Sequence, residues 1–334
     1  MKRTTIKRVV FFSIYNVIII LVLLEIAVHF WGYSQHYLSD PIYMSFEESD
    51  EIPYILQPNL DNARAPGIIW INTDELGLRS LIPGEPYQPK TPNTYRIAIM
   101  GDSFTFGAGV KNQNIYPQLV EVILNNAQQE LKVEVFNFGV PGYSVKEMAN
   151  TLSYRALDVE PDLVIMAFIV DDFSLGRIGN VDKWGYFSGP IGRDTLPKHL
   201  LRDIHLIYPI RDLFYTLRAR SDNKDEPLPD NTPVLIPDSY RYVLDFKAVA
   251  EKHRIPYLVV TIPSLSRVRF RDMGLEERFQ VDGVRYFDLS PIRDEFTPAE
   301  FRVSQFDSHP SAAVHQRMAA DLSQHILETF LSVE

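Results

Sequence analysis

Residues 163–170 read LVIMAFIV, eight apolar residues with no polar one among them. A strand with one wet face alternates apolar and polar residues; a run without alternation has to be covered on both faces. Further segments that read as strands are YRIAIMG (95–101), KVEVFNFG (132–139), PYLVVTIP (256–263) and VRYFDLS (284–290). Between and after them, apolar residues recur at helical spacing in YPQLVEVILNNAQQ (116–129), VKEMANTLSYRAL (145–157), SYRYVLDFKAVAEKHRIP (239–256) and AAVHQRMAADLSQHILETFL (312–331). Doubly covered strands joined by helical crossovers make a parallel sheet, so the expected architecture is α/β with three layers. A chain of 334 residues accommodates one such large domain. Ligands of these sheets bind beyond the carboxyl ends of the strands. The residues that follow each strand are therefore where chemistry is to be sought.

A second feature precedes the sheet. Lys2, Arg3, Lys7 and Arg8 stand before an apolar stretch that runs from Val9 to Trp31 and continues to Tyr33. About 23 residues at 1.5 Å per residue span roughly 35 Å, enough to cross a bilayer with some tilt. No small-x-small cleavage site closes the stretch; it ends in His29, Phe30, Trp31 and Tyr33, the composition of an interfacial aromatic belt. The basic residues come before it and Asp40, Glu47, Glu48, Asp50 and Glu51 after it. The positive-inside rule then predicts a basic cytoplasmic N-terminus (1–8), a single-pass inner-membrane anchor (9–33) and a remainder that is periplasmic or otherwise extracytoplasmic. Glu25 is a costly residue in a span, and is expected near the outer interface or paired with another helix. Residues 34–94 read as a linker and a lead-in packed on the domain of 95–334, with Trp70, Ile71 and Leu76 buried. An insertion at about 174–238 is longer than a crossover requires; it holds a helix around residues 199–220, kinked or ended at Pro209, and a mobile polar loop at 221–233. The net charge of −10 argues against a nucleic-acid partner. Zero cysteines exclude disulfides, thiolate metal sites and a cysteine nucleophile.

The ends of the strands carry a consistent set of residues. GDS follows the first strand and brings Ser103; VPGYS follows the second and brings Gly142; Asp171 and Asp172 follow the third; Asp307 and His309 stand near the C-terminus in DSHP. A hydroxyl, a base, a group to orient it and backbone amides are what acyl transfer requires. Each piece also has an ordinary structural reading. Ser103 could cap a helix, Pro141–Gly142 could form a type II turn, Asp307 could cap the last helix, and His309 could be a surface histidine. Asp171 and Asp172 could sit in a solvated loop or bind a metal, and His315 reads as structural.

In order and wording these motifs resemble the SGNH hydrolases, also called GDSL-type esterases and lipases, over roughly residues 70–334. WINTDELGLRS and the N-terminal anchor look like a membrane-tethered bacterial branch. The resemblance implies a flavodoxin-like α/β/α domain, with Ser103 as nucleophile, His309 as general base and Asp307 as its orienting carboxylate. It implies oxyanion donors at the amides of Ser103 and Gly142, and no cofactor or metal. The chain departs from the family at two places. The third block usually presents an asparagine where Asp171 stands, and an ionised carboxylate repels an oxyanion unless its site keeps it protonated. The final block is Asp-x-His where the family more often has Asp-x-x-His. Three functions stay open: an anchored ester hydrolase acting on acylated envelope glycans or lipids; an O-acyltransferase of envelope polysaccharide using the same chemistry; and a catalytically weak module that binds a glycan or a membrane partner.

Overall fold

A computed structural model describes residues 2–36, 38–65, 69–127, 131–175, 179–181, 185–190, 203–211, 213–214, 237–266, 268–305 and 307–331. The chain divides into two compact units. One comprises Ser39–Asp194 and Pro233–Glu334, the other Met1–Leu38 and Thr195–Thr232.

The larger unit is built on five parallel strands: β6 (Thr94–Gly101), β7 (Lys132–Gly139), β8 (Leu163–Phe168), β11 (Tyr257–Thr261) and β12 (Tyr286–Asp288). Their order in the sheet is β12-β11-β8-β6-β7. Counted along the chain this is 2-1-3-4-5, the doubly wound flavodoxin-like order, whose switch point lies between β6 and β8. Because successive side chains of a strand point to opposite faces, each strand supplies two cores. Val164, Met166 and Phe168 of β8 pack with helix α4 (Val145–Tyr154) and the helix Arg241–His253 on one face. Leu163, Ile165 and Ala167 pack with helix α3 (Tyr116–Ala127) and the C-terminal helix Ala312–Phe330 on the other. The unit is a three-layer α/β/α domain, as the unalternating runs require.

The segment before β6 carries five short strands: β1 (Tyr43–Ser45), β2 (Tyr54–Leu56), β3 (Ala63–Ala65), β4 (Ile69–Thr73) and β5 (Arg79–Ser80). Strands β1 and β2 form one antiparallel pair, and β3, β4 and β5 a three-stranded sheet. They bury Ile42, Tyr54, Leu56 and Ile71 in a third core shared with Phe106, Val140 and Tyr143 of the strand-end loops. Trp70, expected to be buried, is 51% exposed. On β4 it alternates with the inward-facing Ile69 and Ile71, so the strand period sends it outward. Part of the insertion forms the antiparallel ribbon β9 (Gly179–Val181) and β10 (Phe187–Pro190).

In the smaller unit, helix α1 spans Lys2–Trp31. Within it Ile6–Trp31 is the one helix among the described residues that is long and apolar enough to cross a membrane. Its end is met by the described part of the insertion. Both carboxylate oxygens of Glu25 accept backbone N–H bonds, from His205 at 2.6 Å and Leu206 at 2.8 Å. The His205 ring is held on both sides, by His29 Nδ1 2.9 Å from its Nε2 and by the Ser34 hydroxyl at its Nδ1. Residues 207–211 are helical. Pro209 was expected to kink or end a helix; it falls instead in the first turn, where the missing N–H has no intrahelical partner to lose. The polar loop expected at 221–233 lies outside the described residues.

Candidate active site

Strand β6 ends at Gly101, and Ser103 opens the one-turn helix α2 (Ser103–Phe106). A Cβ at Gly101 would lie 2.0 Å from Thr105 Oγ1, so only glycine lets the chain turn this tightly. The cap of this turn is Asp102, not Ser103. The Asp102 carboxylate accepts from Phe104 N at 2.8 Å, and its other oxygen lies at a long 3.4 Å from the Ser103 hydroxyl.

The other end of the constellation comes from the antiparallel pair β13 (Arg302–Ser304) and β14 (Asp307–Pro310). Residues i and i+2 of a strand share a face. Asp307 and His309 therefore project together, and Asp-x-His is the spacing a strand needs. Asp307 Oδ1 accepts both the backbone N–H of His309 at 3.0 Å and its ring Nδ1 at 2.5 Å. A carboxylate oxygen accepts only, so Nδ1 carries the ring proton and Nε2 is left with a lone pair. That Nε2 lies 2.8 Å from Ser103 Oγ. Phe104 packs against the imidazole, with ring centroids 5.2 Å apart. The side chains of His309 and Asp307 are 28% and 18% exposed, so solvent reaches the group.

Gly142 sits at φ +88° after Pro141, and Tyr143 N donates to Val140 O at 3.2 Å. This is a type II turn with proline and glycine at its central positions. It is braced from the lead-in: Tyr54 OH donates to Pro141 O at 2.8 Å, and Tyr143 OH donates to Tyr54 O. Asp171 lies three residues beyond the end of β8. It is exposed, in a 3₁₀ turn Val170–Phe173, and accepts from Ser266 Oγ at 3.1 Å. Its neighbour Asp172 is buried and closes the same turn by accepting from Ile169 N at 2.9 Å. Among the described residues no cluster of three or more His, Asp or Glu could hold a metal ion.

Two braces of the Ser103 turn were not foreseen from the sequence. Arg79, from β5, is buried beneath it. Its Nη1 donates to Phe106 O at 2.6 Å and Gly107 O at 2.7 Å, its Nη2 to Val110 O, and its Nε to Asn112 Oδ1 at 2.7 Å. Burial draws its pKa down to about 9, which still leaves a cation at neutral pH. Asn137, at the end of β7, donates to Thr105 O at 3.0 Å and accepts from Gly139 N at 2.9 Å. An arginine inside the apolar LGLRS was the one signal for the first; nothing marked the second. His315, read as structural, is fully buried; its Nδ1 accepts from Tyr116 N at 3.1 Å, and the two rings stack.

No protein-family model matches the chain. No curated protein matches its sequence. Solved structures do match. A lipolytic protein of the G-D-S-L family from Desulfitobacterium hafniense is 13% identical, with 69% of this chain and 98% of that chain covered and a TM-score of 0.41. A lipase/acylhydrolase from Enterococcus faecalis is 14% identical, with 70% and 95% covered and a TM-score of 0.41. A catalytic mutant of Axe2, an acetylxylan esterase from Geobacillus stearothermophilus, is 16% identical, with 70% and 94% covered and a TM-score of 0.39. Among the solved structures to which this chain is similar are thus G-D-S-L lipolytic proteins and an acetylxylan esterase.

Proposed function

We propose that this protein is a membrane-anchored serine ester hydrolase of the SGNH kind, with its domain outside the cytoplasm. The observation that carries the reading is the relay of Asp307, His309 and Ser103, joined at 2.5 and 2.8 Å with the imidazole in the required tautomer. Ser103 attacks the ester carbonyl and its proton passes to His309 Nε2. Asp307 stabilises the imidazolium that forms and fixes the ring. The tetrahedral oxyanion is met by the amides of Ser103 and Gly142. The imidazolium then returns its proton to the leaving alcohol, and water activated by the same base releases the acid from the acyl-enzyme.

Exposure of the site and its place on an anchored domain favour acyl esters of envelope glycans or lipids as substrates. The test is hydrolysis of short-chain aryl esters by the full chain, with and without acceptor sugars. Turnover lost in Ser103→Ala supports the reading, and acyl groups appearing on the sugar would instead make the protein an acyltransferase. A reporter fused after Glu334 that works only outside the cytoplasm should be active; activity from a cytoplasmic reporter there would overturn the orientation.

A further inference from the structure

The anchor is more than one helix. Glu25 stands one turn and a half before the end of α1, on the same helix face as the buried Val28. An acidic side chain in an apolar span needs partners. The structure supplies two successive amides, those of His205 and Leu206, at the start of the helical turn 207–211. His29 and Ser34 secure the same junction through the His205 ring, and Ser34 is fully buried.

The segment fastened there is apolar on its outer side. Ile204, Ile210, Leu213 and Phe214 are 41%, 57%, 59% and 60% exposed. Leu206, Ile210, Leu213 and Phe214 recur at i, i+4, i+7 and i+8, one face of a helix. Arg211 and Asp212 stand between them, and the Arg211 guanidinium lies 5.6 Å from the centre of the Tyr208 ring. The same unit exposes Phe30 and Trp31 at the end of α1, with Trp31 stacked on Tyr33. Aromatic residues at this place in a span mark the membrane–water boundary. A segment bonded to that boundary cannot leave it, and exposed isoleucine, leucine and phenylalanine side chains there meet acyl chains rather than water.

We infer that residues 203–211, with Leu213 and Phe214, form an in-plane element embedded in the outer lipid interface and locked to the transmembrane helix through Glu25. This rests on the proposal that α1 spans a membrane. Amphipathic helices of this kind bury their apolar face about 5–10 Å into the headgroup and acyl boundary. The partner is the lipid surface itself. Since the chain leaves the larger unit at Asp194 and returns to it at Pro233, the membrane unit is joined to the domain by three chain connections rather than one.

The chain has no cysteine, so one introduced cysteine is a unique label site. Full-length Ile19→Cys and Leu213→Cys are labelled with the fluorophore NBD and reconstituted in phosphatidylcholine–phosphatidylglycerol vesicles. The vesicles carry nitroxide on lipid either near the headgroup or deep in the acyl chain. The expected result is quenching of the Ile19 label chiefly by the deep nitroxide and of the Leu213 label chiefly by the shallow one. Adding Glu25→Ala should abolish quenching at Leu213 and leave it at Ile19. If Ile19 is quenched and Leu213 is not, the interfacial element is wrong while the anchor stands. If neither is quenched, the anchor itself is wrong and the inference falls with it. Quenching at Leu213 that survives Glu25→Ala would overturn the lock.

Discussion

His309 Nδ1 lies 2.5 Å from the Oδ1 of Asp307, two residues earlier on the same short strand. The strand is what makes this contact possible. Alternate residues share a face, and the turn-like bond from His309 N to the same oxygen fixes the pair as one unit. The departure from a longer Asp–His spacing is therefore a change of local backbone, not a loss of the pair.

Asp307→Asn tests what this pair does. An amide can donate to Nδ1 and stabilise the tautomer with its proton on Nε2, which cannot accept from Ser103. Turnover of a short aryl ester should fall by about 10⁴ with little change in stability. A loss below tenfold would show that Asp307 does not orient the base.

Arg79 ties the lead-in to the Ser103 turn through three carbonyls and the Asn112 side chain. Arg79→Met leaves those buried acceptors unmet. Leaving a buried acceptor unsatisfied costs about 1–3 kcal/mol. Denaturant unfolding should show that loss. Arg79→Lys should recover stability only in part, because one ammonium cannot serve three spread carbonyls. Stability matching wild type in Arg79→Met would remove Arg79 from the site's support.

The parallel three-layer sheet was legible in the sequence, because strands and helices alternate along the chain and LVIMAFIV has no wet face; its flavodoxin-like order was implied only by the family resemblance. Ser103, Gly142, Asp307 and His309 were legible as motifs at strand ends. What holds them was not. Arg79 and Tyr54 act through carbonyls on loops distant in sequence, and no local pattern encodes which backbone oxygen a side chain will find. Trp70 was misread for the opposite reason: a large aromatic invites burial, but its place on β4 was set by its neighbours Ile69 and Ile71. The partners of Glu25 lie about 180 residues away along the chain, so its composition could pose the question and not answer it.

His315 gives a pH dependence. Burial lowers its pKa from 6.5 to about 3, so the folded protein keeps it neutral while the unfolded chain protonates it below pH 6.5. The unfolded state then binds more protons, and stability falls as pH drops through that window, by up to about 1.4 kcal/mol per pH unit for one site. His315→Asn keeps an acceptor for Tyr116 N and removes the titrating group. Its unfolding free energy should depend less steeply on pH between about 6.5 and 3. An unchanged slope would show that His315 is not the group responsible.

By the motif resemblance Asp171 takes the place of a neutral oxyanion donor; it is exposed and accepts from Ser266. Asp171→Asn keeps the shape and the acceptor oxygen while removing the charge. Turnover should rise, by as much as the roughly 10²–10³ that one oxyanion donor contributes. A large fall at every pH would show that the carboxylate itself is needed, and Asp171 would then be assigned to holding a substrate hydroxyl.

The central claim is that Ser103 is a nucleophile activated by His309. Its most direct test is mass spectrometry of the full chain after treatment with a fluorophosphonate. The account predicts a single phosphonyl adduct on the peptide that contains Ser103, absent in Ser103→Ala and nearly absent in His309→Ala. A wild-type protein that stays unmodified, or an adduct that persists in Ser103→Ala, would contradict it.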